Sequence, residues 1–197
     1  MNGRAASRVT TLISCFALLV VGAFAIGTAP SDDAVVAPFV ETGPIGSPVR
    51  TRPFTAVVTS VRIAHTITAD YALPTESTTS EGAWVIADVV VTPATDSISL
   101  TYSVLRIGDH EYQVRSDLPF PSLFGFGYGP DVPVTGTLAF EVPASALRGT
   151  DARSAVIVLK TSLTPDLESV AEIGADLSGM SISAQEAINP ARVEDSR

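Results

Sequence analysis

The order of apolar and polar positions divides the chain into four stretches. An uncharged run extends from Val9 to Ala29, with Arg4 and Arg8 before it and Asp32 and Asp33 after it. Residues 30–52 follow, rich in proline and glycine and without periodicity, and read as a linker that is part extended and part turn. From residue 53 to 184 short β-branched and alternating segments recur between turn signals, which predicts strands. The last stretch, 185–197, is mixed and polar and is expected to fray.

Within the third stretch the pattern predicts individual strands. Residues 56–67 are rich in β-branched side chains, and alternation over their second half puts Val61, Ile63, His65 and Ile67 on one face. A second strand is expected over 84–91, stopping before Pro93, with Trp84 and Ile86 sharing a face. Strict alternation over 98–105 predicts a third, with Ile98, Leu100, Tyr102 and Val104 facing one way. Gly108-Asp109 reads as a turn, followed by short strands over 111–115, 135–142 (ended by Pro143), 154–159 and 167–173. Leu138, Phe140 and Val142 share a face there, and Glu141 points the other way. Residues 168–176 have some helical composition, but Ser-Val-Ala-Glu-Ile alternates and Gly174 disfavours a helix. No segment between strands is long and periodic enough for a crossover helix, so a parallel α/β sheet is disfavoured and an antiparallel sandwich or barrel remains. Trp84 and Phe140 are expected in its core.

The first stretch bears on location. As a helix, the 21 residues 9–29 would rise about 31 Å, enough for a hydrocarbon core of about 30 Å. The charge asymmetry places residues 1–8 in the cytoplasm and the remainder outside the cell. Two readings stay open: an uncleaved transmembrane anchor, or a signal peptide cleaved near the small-x-small sequence Ala23-Phe24-Ala25. Leu12-Ile13-Ser14-Cys15 has the outline of a lipid-attachment box, but most of the apolar run follows Cys15, which argues against acylation. The expected location is therefore the cell membrane, single-pass with an extracellular body, or the exterior after cleavage.

Charge and composition narrow the chemistry. The chain has 197 residues and a formal net charge of −9, and Lys160 is its one lysine. No basic patch can be assembled after residue 30, which disfavours nucleic-acid binding. Cys15 is the single cysteine, so an intramolecular disulfide and a multi-cysteine zinc site are excluded. His65 and His110 lie on different elements with no second ligand at metal spacing. No G-x-S-x-G elbow and no D-x-D-x-D-G calcium loop occurs. The carboxylates are scattered, and a sugar-cleaving pair among them has no aromatic cleft to support it. The chain is accordingly read as no enzyme, with no cofactor, no metal and no identified small-molecule substrate.

One stretch has no packing explanation from periodicity. Residues 118–130, LPFPSLFGFGYGP, place Phe120, Phe124, Phe126 and Tyr128 among three glycines and three prolines. Such a segment cannot continue a central strand, so a long loop is expected. Either its phenylalanines tuck over an open end of the sandwich, or the loop presents an aromatic surface to a partner protein or a lipid headgroup layer. For partner binding, Phe126 and Tyr128 are the first candidates.

Two segments carry a family resemblance. Gly82-Ala83-Trp84-Val85-Ile86-Ala87-Asp88-Val89-Val90-Val91-Thr92, followed by Asp96, Ser97, Ile98 and Leu100, is one. Gly136-Thr137-Leu138-Ala139-Phe140-Glu141-Val142-Pro143 is the other. Through them, about residues 54–173 resemble the DUF4352-type immunoglobulin-like extracellular domains, related to the immunoprotective extracellular proteins of actinobacteria. Pro93-Ala94-Thr95-Asp96 departs from the family's Asn-Gly-like turn, and the aromatic stretch is not part of its pattern. The resemblance implies an all-β, immunoglobulin-like antiparallel sandwich behind an N-terminal signal or anchor helix, and no established catalysis. The arginine bias and alanine-rich composition fit a GC-rich actinobacterial genome. Together these readings anticipate a membrane-tethered extracytoplasmic binding or scaffold domain for a cell-envelope protein partner. The alternatives are a secreted structural or antigen-like sandwich without a specific ligand and, more remotely, an envelope hydrolase.

Overall fold

The computed structural model describes residues 17–24, 37–69, 76–118, 123, 127, 129–164 and 167–194. The chain forms two compact units, Met1–Ala37 and Pro38–Arg197. In the first, residues 17–24 are helical (α1). Leu18, Leu19, Val20 and Val21 on this helix are 53–72% exposed. Among the described residues no helix is long and apolar enough to cross a membrane; the rest of the run 9–29 lies outside them.

The second unit is all-β and built from two sheets. One has the order β1 (Phe39–Pro44), β9 (Ser169–Ala175), β8 (Ala155–Leu159), β5 (Val104–Ile107), β6 (His110–Gln113). The other has the order β10 (Ile182–Ala187), β3 (Phe54–Ala69), β4 (Glu76–Pro93), β7 (Val134–Val142), β11 (Arg192–Val193), with β2 (Val49–Arg50) also paired to β3. A short helix α2 (Ala144–Arg148) and a 3-10 turn (Thr150–Ser154) join β7 to β8. Pro143 lacks an N–H, ends β7 and stands just before α2. Phe54, Val58, Val85, Val89, Leu138 and Phe140 from the larger sheet meet Leu105, Ile157 and Ile173 from the smaller in one buried core. Apolar burial between two facing sheets is the main stabilising term of such a sandwich.

The alternation that predicted β3 changes phase twice along its length. Phe54, Ala56 and Val58 face the inter-sheet core. The register against β4 then slips between Val58 and Ser60, a β-bulge with Thr59 as the extra residue, after which Val61 and Ile63 face the core instead. A second slip between Ala64 and Thr66 turns Ile67 to the outer face and leaves His65 exposed. The expected common face of Val61, Ile63, His65 and Ile67 therefore holds for its first two members only.

Trp84 also departs from expectation. It is buried, 1% exposed, and shares its face with Ile86 as predicted, but that face is the outer one. Trp84 packs with Ala64, Ile67, Ala139 and Ile188 in a second cluster, whereas Phe140 belongs to the inter-sheet core. The two are cross-strand neighbours offset by one residue, since Trp84 pairs with Glu141 and Val85 with Phe140. Side chains one position apart point to opposite faces.

Three further expectations are corrected. Residues 98–105 do not form one strand: a turn at Thr101–Tyr102, with Ser103 N–H donating to Leu100 C=O at 3.2 Å, separates Leu100 from β5. Leu100 and Val104 are both buried across this turn, and Tyr102 is exposed, which mimics alternation. The linker 30–52 contributes β1 and β2 to the sheets, and the tail 185–197 contributes much of β10 and all of β11. Both β1 and β10 are edge strands with few buried positions, so no polarity pattern marks them. The sheets are also not wholly antiparallel, because β1 pairs with β9 and β10 with β3 in parallel. The turn at Gly108 is as expected: Ile107 pairs with His110, and Gly108 adopts φ +58°, which glycine adopts without Cβ strain.

Candidate functional site

The aromatic stretch is framed by hydrogen bonds to β4 and β7. Val114 bridges Phe140, and Arg115 N–H donates to Ala139 C=O at 2.9 Å. Leu123 N–H donates to Thr137 C=O at 3.0 Å, and Asp131 N–H to Pro93 C=O at 2.9 Å. Residues 114, 115 and 123, with β11, thereby occupy the edge of β7 that β4 does not use. Covering an edge in this way removes a row of open ladder groups. Leu123 is fully buried in the inter-sheet core, and Leu118 packs against the Trp84 cluster. The four candidate partner-binding residues, Phe120, Phe124, Phe126 and Tyr128, lie outside the described residues.

Where this stretch leaves the sheet, Arg115 organises the surface. Its guanidinium pairs with Asp117 at 2.6 Å and with Glu141, and lies over the Trp84 ring, 5.6 Å from its centroid. Ser80 Oγ–H donates to Glu141 Oε1 at 2.8 Å. The Asp117 carboxyl is held below its ordinary range by the hydrogen bond from Arg115. The indole N–H of Trp84 is buried and has no acceptor among the described residues, and the ring offers packing and a π face to Arg115. Nearby, Gly82 approaches β7 so closely that a Cβ would run into the Val142 carbonyl oxygen. His65 donates from Nδ1 to the Gly82 carbonyl at 3.1 Å.

A second polar centre lies on the outer face of the larger sheet, around Asp88. Its carboxylate accepts from Ser60 Oγ at 2.7 Å, Thr137 Oγ1 at 2.9 Å, Arg62 Nη2 at 2.9 Å and Asn189 Nδ2 at 3.3 Å. Arg62 reaches on to Glu186 Oε2 and to the Ala187 carbonyl, both at 2.9 Å. Burial alone would push the Asp88 carboxyl up, but the hydrogen bonds from Ser60 and Thr137 and the Arg62 charge outweigh it and hold Asp88 below the ordinary carboxylate range. Arg62, through its hydrogen bond and charge, likewise holds Glu186 low. Asp88 is thus a fixed anion with its lone pairs occupied. It ties three strands to the segment 186–189, and its chemistry is attachment.

Sequence reasoning did not find this centre. The usable signal was Arg62 and Asp88, each a charged residue inside a strongly β-branched run. His65 and His110 are both exposed and stand on different sheets. Among the described residues no group of three or more His, Cys, Asp or Glu side chains is placed to hold a metal ion.

No protein-family profile matches the chain, and no curated protein does. Among solved structures it is similar to the crystal structure of the YjhA protein from Bacillus subtilis, at 14% identity and a TM-score of 0.45, over 66% of this chain and 98% of that one. At that distance the likeness bears on neither fold nor function.

Proposed function

We propose that the chain is a membrane-tethered extracytoplasmic binding or scaffold domain: an immunoglobulin-like sandwich of the DUF4352 type, held at the cell surface by residues 9–29 and serving a protein partner in the envelope. The observation that carries this reading is α1. Four consecutive large aliphatic side chains, Leu18 to Val21, stand more than half exposed within an uncharged run with arginines on one side and aspartates on the other. A helix apolar on all sides is stable only when something apolar covers it, and a bilayer does so. A body with its own two-sheet core beyond Pro38 fits a tethered domain. Cleavage after Ala25 would instead release the same body.

The partner surface in this reading is the aromatic stretch 118–130. Its described anchors are Leu123, buried in the inter-sheet core, and Leu118, packed against the outer-face cluster. The test is affinity capture from detergent-solubilised envelope with the full chain and with its Phe124→Ala/Phe126→Ala/Tyr128→Ala variant. The variant is expected to keep its fold, read by the emission of buried Trp84, and to lose a partner that the native chain recovers reproducibly. Recovery of the same proteins by both chains would contradict the assignment of the loop. Intact mass of the membrane-associated form distinguishes anchor from cleaved leader.

A further inference from the structure

Among the described residues of the β unit, most of the large exposed apolar side chains are gathered at one end. This is the end where the chain enters. Phe39 and Val40 open β1 there, 49% and 47% exposed. Phe39 pairs with Ser169 at the start of β9, so Leu163 and Leu167 in the preceding β8–β9 connection project at the same end, 61% and 52% exposed. Val104 pairs with Val158 near the end of β8, which puts Tyr102 beside them at 42%. Val132 leads into β7, and Val193 pairs with Val134 at its first residue; they are 37% and 58% exposed. Among the described residues of this unit, the other large apolar side chains exposed to this degree are Ile45 and Ile182. Both lie beside the middle of β3, next to Val58 and Ile63. The opposite end, with the 107–110 hairpin and α2, carries none among the described residues.

Backbone strain concentrates at the same end. The two described non-glycine residues with positive φ are Asp131 at 58° and Leu167 at 56°. Leucine pays for that conformation, and here the result is a half-exposed leucine. A shallow cleft of about 300 Å³ lies between Arg52, Asp96, Leu167 and Glu168, and Arg52 stacks over the Phe39 ring at 5.1 Å.

We propose that this entry end is a lipid-contacting surface that seats the sandwich on the outer leaflet, an inference that rests on the tethered reading above. Connectivity selects a bilayer as the occupant. Residues 30–38 separate Ala29 from Phe39, and nine residues span at most about 30 Å. The apolar end is therefore the part of the body that the tether brings to the membrane surface. Its footprint combines aliphatic side chains with Phe39 and Tyr102, the composition that favours the water–lipid boundary. The charged groups at this end are mixed, with Asp96, Asp131, Glu168 and Glu194 against Arg52, Lys160 and Arg192. Contact is thus driven by apolar insertion, and neutral lipid suffices.

The test uses the full chain with Cys15→Ser, reconstituted into phosphatidylcholine vesicles with or without nitroxide-labelled lipid. An environment-sensitive fluorophore is placed at Leu163→Cys, at Val193→Cys or, at the far end, at Asp109→Cys; Trp84 emission verifies the fold of each. The expected result is flotation of all three with the vesicles, and lipid quenching several-fold stronger at 163 and 193 than at 109. Flotation with equal quenching at the three positions would overturn the seated surface and leave the tether standing. Blue-shifted emission at 163 and 193 without lipid quenching would assign the end to a second copy of the chain and also overturn it. Failure to float would remove the tether, and the seated surface with it.

Discussion

Trp84 and Phe140 show how much one residue of strand register decides. Both are large and fully buried, yet Phe140 fills the space between the sheets and Trp84 the outer layer under Arg115, Ile188 and Leu118. Replacing either by alanine is expected to cost about 3–5 kcal/mol. Trp84→Phe separates packing from polarity. Because the indole N–H has no hydrogen-bond acceptor among the described residues, this change forfeits mainly volume and is expected to cost about 1 kcal/mol, measured by denaturant unfolding. A loss as large as that of the alanine variant would mean that the N–H has a partner. That both residues are buried was legible in the sequence, since each sits in an apolar β segment. Which layer each joins was not, because alternation gives relative phase along one strand and says nothing of a second apolar layer outside the sheet.

At the scale of elements, the outer layer depends on a terminal segment that looks polar. Residues 186–194 are held by Arg62–Glu186, by Asn189 on Asp88 and Thr137, and by backbone bonds from Ile188 to Thr68 and from Glu194 to Pro133. Asp88 and Glu186 both titrate below their ordinary values of 3.8 and 4.5. A depressed carboxyl contributes stability in full above its unfolded pKa and loses it as pH falls through the folded one. Stability is therefore expected to be level above about pH 5 and to decline below about pH 4. Asp88→Asn, at neutral pH, is expected to cost about 2–3 kcal/mol, because Arg62 and the surrounding donors lose their charged partner. Hydrogen exchange should show protection lost first at the amides of Ile188, Asn189 and Glu194, with β4 and β7 still protected. Uniform loss across the sheet would contradict the view of this segment as a separately clamped strap. The interior strands β3, β4, β7, β8 and β9 were readable because burial of at least one face leaves a pattern. The edge strands β1 and β10 were not, since they are held by ladder hydrogen bonds that leave little mark on polarity. Nor do bulges announce themselves, so the two slips in β3 were invisible before its pairing with β4 was known.

For the whole molecule, a self-contained sandwich follows an apolar segment and a short proline-rich joint. The class of fold came through from sequence because short strands, turn signals and the absence of crossover helices leave few architectures. The aromatic stretch stood out in the sequence by its prolines and glycines, and the structure shows the described residues around it, Arg115 and Leu123, bonded to β7. Its four aromatic side chains were identifiable by composition alone, and composition does not orient a side chain. The apolar entry end was missed altogether, because its members come from five separate places in the sequence and only the topology brings them together.

We propose above all that residues 9–29 hold the chain in a membrane with the sandwich outside the cytoplasm. Its most direct test is thiol labelling of intact cells producing the full chain with Cys15→Ser and Asp109→Cys, using a membrane-impermeant maleimide. The thiol at position 109 is expected to be labelled without lysis, and the labelled chain to sediment with membranes. Labelling only after lysis, with the chain in the soluble fraction, would contradict it.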